Sequence, residues 1–97
     1  MTVDNQHRKI KGYRELSATE IDLMNQIKAK GVELQNLIAQ VRNHTDGQVD
    51  AARAVPDQDE ITRISEAQPA RWISISQTHF QEGLMCLTRA VAQPTFF

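Results

Sequence analysis

The chain is short of several things that would point to familiar chemistry. It has one cysteine, Cys86, among 97 residues, which excludes an internal disulfide and a four-cysteine zinc site. Cys86 falls in the apolar run GLMCL, so a reduced, buried thiol is expected, in keeping with a reducing cytosol. Aromatics amount to one Trp, one Tyr and three Phe. A chain of this size buries roughly 60–70% of its unfolded surface, and a core poor in aromatic bulk gains from burying more in an oligomer. Self-association is therefore expected. With four glycines, neither GxGxxG nor GxxxxGKS/T can be written, which excludes the usual phosphate-cradling loops. No apolar stretch approaches the ~20 residues that a bilayer span needs. The opening MTVDNQHRK carries no apolar signal region. The expectation is a single soluble, cytoplasmic domain over residues 1–97, away from membranes.

Histidine and carboxylate chemistry is equally sparse. His7, His44 and His79 are too far apart for a helix-borne metal pair. His79 with Glu82 is a weak metal signal, and His79 with Cys86 a weak dyad, so structural or solvent-facing roles are the better reading. No cofactor or metal is expected. The carboxylates between Asp46 and Glu66 read as a solvated face rather than an acid–base pair, so an enzyme is disfavoured.

What is present is helix-forming. SATE at Ser17–Glu20 has the capping-box pattern, in which Ser and Glu side chains each satisfy a free amide at a helix start. Met24, Ile27, Leu34, Ile38 and Val41 follow a three-four spacing, widened by Leu23 and Leu37, and predict a helix to about His44. Gly31 sits in the same register. It is either tolerated there or marks close approach of another helix. Asp46-Gly47 and Pro56 read as a connection over residues 45–57, in which QVDAARA forms a turn or extends the first helix. Asp57 and Glu60 give a second capping pattern before a short helix. Pro69 suits the first turn of another. Ile73, Phe80 and Leu87 recur every seven residues in ARWISISQTHFQEGLMCLTRAVAQ, which Pro94 ends. Ile73 and Ile75 admit a short strand, but the length favours helix. The fold class is all-α: two long antiparallel helices with short N-terminal and connecting helical segments, assembled as a homo-oligomer. Small residues such as Ser76 and Gly83 are expected at the helix contact.

The net charge is −1, with 11 Lys and Arg against 12 Asp and Glu, which argues against a general nucleic-acid binder. The charge is uneven, however. HRKIKGYRELS places Arg8, Lys9, Lys11 and Arg14 around Tyr13, with no acid before Glu15. Tyr13 can stack on a nucleobase for roughly 1–3 kcal/mol. Arg14 and its neighbours can meet phosphates, and Gly12 lets the backbone come close. Lys28 follows in the first helix, flanking its apolar stripe. Against this stands a solvated arm with Tyr13 packed on the helix start. Composition alone does not name a ligand.

The runs HRKIKGYRELS, EIDLMNQIKAKG and RWISISQTHFQEGLMCLTRAVAQP together resemble the phage anti-CBASS cyclic-oligonucleotide sponge family, which opposes cyclic-oligonucleotide-based antiphage signalling. Residues 45–66 depart from that family's pattern. The resemblance implies an all-helical homohexamer, in the cytoplasm of an infected bacterium, that sequesters cyclic dinucleotides such as cyclic GMP–AMP without cleaving them. Many members also hold cyclic trinucleotides. It implies intersubunit dinucleotide pockets, with Tyr13 on a base, Lys28 on phosphate, and Pro94 and Thr95 lining the same pocket. Arg71 is the candidate phosphate contact of a separate trinucleotide site. DNA is not an expected ligand. The competing expectation is a helical oligomeric adaptor whose basic arm binds protein or single-stranded nucleic acid. A purely structural helical oligomer is a third.

Overall fold

The computed structural model describes residues 15–96. Among them the chain is all helix and irregular connection: α1 spans Ala18–Ala54, α2 Gln58–Ala67 and α3 Pro69–Ala92. The short N-terminal helical segment expected from the sequence lies outside the described residues, as do Gly12, Tyr13 and Arg14.

The start of α1 is the capping box. The Glu20 amide donates to Ser17 Oγ at 3.2 Å, and the Ser17 amide donates to Glu20 Oε1 at 2.8 Å. Two of the donors orphaned at a helix start are thereby satisfied. The helix then runs 37 residues, straight through Asp46-Gly47, where a turn was expected. Gly47 meets no neighbour where a Cβ would stand, so it costs about 1 kcal/mol of helix propensity with no packing return. The residues after it outweigh that cost. Val49 is half-buried and Ala52 is 5% exposed, because α2 folds back against this stretch. α1 therefore ends at Ala54 rather than near His44, with Pro56, read from the sequence as a breaker, just beyond it.

Asp57 caps α2, its Oδ1 accepting the Glu60 amide at 3.1 Å. Gln68 closes α2 in a left-handed conformation (φ 52°, ψ 55°), its amide donating to Ile64 O at 3.0 Å. The same residue opens α3, and Pro69 follows in the first turn, where a missing amide costs nothing. Residues 73–75 are helical, so no strand forms there.

α1 and α3 make an antiparallel hairpin: Gly31 faces Leu84, while Met24 and Lys28 lie beside Thr88 and Pro94. A Cβ on Gly31 would stand 3.4 Å from Leu84 Cδ1. Gly31 thus lies at the helix contact, but an alanine methyl there would make only ordinary contact with a leucine side chain, so the glycine is tolerated at the contact rather than required by it. Gly83 does not share that contact, because nothing lies within 4 Å of its Cβ position. The seam on α1 uses Met24, Ile27, Leu34 and Ile38, all half-buried. Val41, Leu23 and Leu37, assigned to the stripe by spacing, are exposed. On α3, Ile73 is buried but Phe80 and Leu87 are not; Ser76, Leu84, Thr88 and Val91 face inward instead. With about 20° of drift per repeat, Phe80 and Leu87 fall on one flank of the seam, where Phe80 borders a recess shared with α1.

Cys86 is exposed, against the expectation of burial. Two positions beyond Leu84, it falls on the far side of α3 from α1. Among the described residues the buried core is small: Ala52, Ile64 and Ile73, one from each helix. It sits at the closed end of the hairpin. The overall extents are 64 × 26 × 19 Å.

Candidate ligand groove

Lys28 lies on α1 one turn before Gly31. It is exposed, and no described residue forms an ion pair with it; the neighbouring Lys30 is paired with Glu33 at 3.1 Å. α3 comes close at Gly31, while the ends of the two helices leave a groove of about 760 Å³ at the open end of the hairpin. Met24, Ile27, Leu84 and Met85 supply its apolar surface, and Lys28 and Arg89 its two cations. Among the described residues no carboxylate lines it. An apolar trough with a few convergent polar groups is the usual character of a small-molecule site. Two cations without a counter-charge favour an anion.

The far wall is made by the end of α3. Gln93 turns the chain in a left-handed conformation (φ 50°, ψ 53°), its amide donating to Arg89 O at 2.7 Å. Pro94 is half-buried and lines the groove. Lys28 and Pro94, assigned to one pocket by resemblance, are thus brought together. Thr95 is exposed and is not part of the lining. Arg89 is the contributor that carried no role in the sequence reading. Its signal is the RAVAQP run, which puts it one turn ahead of Gln93 on the helix face that carries Pro94.

Arg71 stands elsewhere. It lies at the start of α3, its guanidinium carbon 5.2 Å from the centre of the exposed Trp72 ring and its Nη1 donating weakly to Gln68 Oε1 at 3.4 Å. Together with Arg53 it borders a separate hollow of about 450 Å³ over Ile61 and Ile64. That hollow has two arginines and again no carboxylate among its lining residues. Between the two ends, a third recess of about 430 Å³ is lined by amides, Gln35, Asn43, Gln77 and Gln81, with Arg42 and Phe80. Among the described residues no group of three His, Cys, Asp or Glu is placed to hold a metal ion, and no helix is long and apolar enough to cross a membrane.

These features define a class: a long helical hairpin whose open end carries a cation-lined, carboxylate-free groove. The chain belongs to the Acb2/Tad1 hairpin-domain family, whose model matches residues 6–92. That span includes Gly12, Tyr13 and Arg14 as well as Lys28, Arg71 and Arg89. Among curated proteins, the chain is similar to Anti-CBASS protein 2 of Pseudomonas phage JBD67. The two are 46% identical over 105 residues, covering 95% of this chain and 97% of the relative.

Proposed function

We propose that this protein opposes host CBASS defence by binding cyclic oligonucleotides and holding them uncleaved, away from the effectors they would activate. The observation that carries the reading is the groove beside Lys28: two cations, an apolar floor and no carboxylate, in a chain similar along nearly its whole length to a protein named for anti-CBASS action. A cyclic dinucleotide has two phosphates and two bases. Lys28 meets a phosphate, and Tyr13, with Gly12 and Arg14 beside it, closes over a base. Pro94 forms the wall, with Thr95 just beyond it. Two copies of the site across a two-fold interface match the ligand's own symmetry, so a near-neutral protein suffices.

In this reading the chain assembles as a homohexamer in the cytoplasm of the infected cell. It is not an enzyme. Cyclic trinucleotides occupy a second site at Arg71, where paired arginines on an apolar floor offer phosphate contacts. The arginine-lined hollow at the closed end supports that assignment.

The test is recovery of the ligand. The protein is incubated with cyclic GMP–AMP, stripped of free nucleotide, heat-denatured, and the supernatant analysed by chromatography. Intact ligand in proportion to protein is the expected result. Progressive linearisation would make the protein a phosphodiesterase. No retention of any cyclic di- or trinucleotide, with salt-sensitive binding of a linear strand instead, would make it a nucleic-acid adaptor.

A further inference from the structure

Arg89 is fastened to both ends of the turn that follows α3. Its backbone carbonyl accepts the Gln93 amide at 2.7 Å, and its guanidinium Nη2 donates to Phe96 O at 2.8 Å, seven residues on. Between those two bonds lie Gln93, held in the left-handed region, and Pro94, which faces the groove. A left-handed glutamine is disfavoured relative to ordinary helical backbone because its Cβ crowds the following carbonyl oxygen, so the turn needs bonds that offset it. The guanidinium supplies one. Its planar, five-donor fork is what reaches across the turn to the Phe96 carbonyl.

We propose that Arg89 is a positioning residue, pinning residues 93–96 as the wall of the Lys28 groove and thereby setting how long an anionic ligand stays bound. The retention half of this rests on the cyclic-oligonucleotide reading above; the pinning half does not. Loss of one such bond lowers the closed-to-open ratio of the wall by about three- to tenfold, and dissociation of the ligand through the open form quickens by about the same factor.

The experiment compares four chains: wild type, Arg89→Met, a chain ended after Gln93, and the two changes combined. Dissociation of cyclic GMP–AMP is timed for each. In parallel, a nitroxide is placed at Thr95→Cys in a Cys86→Ser background, and its mobility is read by electron paramagnetic resonance without ligand. The label is expected to be immobile when Arg89 is present and mobile in the Arg89→Met chain. Dissociation is expected to speed up in Arg89→Met and in the shortened chain, with no further increase when the two are combined. An equally immobile label in Arg89→Met overturns the proposal. So does a full Arg89→Met effect in the shortened chain, because Arg89 would then act on the ligand directly. If Arg89→Met fails to fold, Arg89→Lys, which keeps the charge but not the fork, takes its place in both readouts. If the wild type retains no cyclic nucleotide, the proposed function fails and the retention half with it, and the label spectrum alone decides the pinning.

Discussion

At the scale of single residues, position 31 tests how tightly the hairpin packs, and Tyr13 and Lys28 test the proposed chemistry. Because the atom facing Gly31 is the tip of a leucine side chain at 3.4 Å, a methyl group there is absorbed by a small rotation of Leu84. Gly31→Ala should therefore be neutral or stabilise the chain by up to about 1 kcal/mol, the helix propensity regained. Gly31→Leu should destabilise by about 1–3 kcal/mol through overpacking against α3. Urea melts followed by circular dichroism distinguish the two. For the ligand, Tyr13→Ala should weaken cyclic-dinucleotide binding by roughly 1–3 kcal/mol for each base stacked. Lys28→Ala should weaken it and flatten its salt dependence. Titration calorimetry at two salt concentrations reads both, and unchanged affinity in Tyr13→Ala would remove the stacking role.

At the scale of elements, α2 has the clearest electrostatic dependence. Arg63 donates to both Glu60 oxygens, the Nη2–Oε2 bond being 3.1 Å. That hydrogen bonding is the main reason the Glu60 carboxyl is held below its ordinary value of 4.5; slight desolvation works against it, and the Arg63 charge adds to it. A carboxyl depressed on folding stabilises the fold above its unfolded value, and that contribution is lost as pH falls through the folded one. Wild type should thus be more stable than Glu60→Gln at neutral pH. The difference should be small, since both side chains are largely open to solvent, and should vanish in acid below 4.5. Thermal melts from neutral into acid provide the check, and a difference that persists in acid would contradict it. At the head of α1, Ser17→Ala removes one half of the capping box and should cost about 1 kcal/mol.

At the scale of the whole molecule, one chain does not bury its own apolar surface. Only Ala52, Ile64 and Ile73 are buried among the described residues, while Met85 is 70% exposed and Trp72 57%. The radius of gyration is 20.8 Å, against about 12–13 Å for a compact chain of this length. α1 alone, at 37 residues, is about 55 Å long, and α3 with α2 covers one side of it. Leu23, Leu37 and Val41 on α1 and Leu87 on α3 stay exposed on the single chain, and in the proposed hexamer they would pack against other copies. The melting temperature should accordingly rise with protein concentration. Sedimentation should give a species of six times the 11.0 kDa chain mass. A concentration-independent melt at the monomer mass would contradict the assembly.

Much of this was legible in the residues, and the division has a physical basis. Local signals act over three or four positions, so the capping box at Ser17, the cap at Asp57, the stops at Pro56 and Pro94 and the helical class could all be read directly. The runs around KGYREL and RAVAQP carried the family, which the match over residues 6–92 bears out. Tertiary packing decided the rest, because it sums contacts that spacing cannot see. Burial of Ala52 beside α2 carried α1 through Asp46-Gly47. Which of the closely spaced α3 positions α1 covers, Leu84 and Thr88 more than Phe80 and Leu87, was set by packing, which also left Cys86 outside. The meeting of Lys28 with Arg89 and Pro94, more than sixty positions apart in sequence, follows only from the antiparallel return of α3.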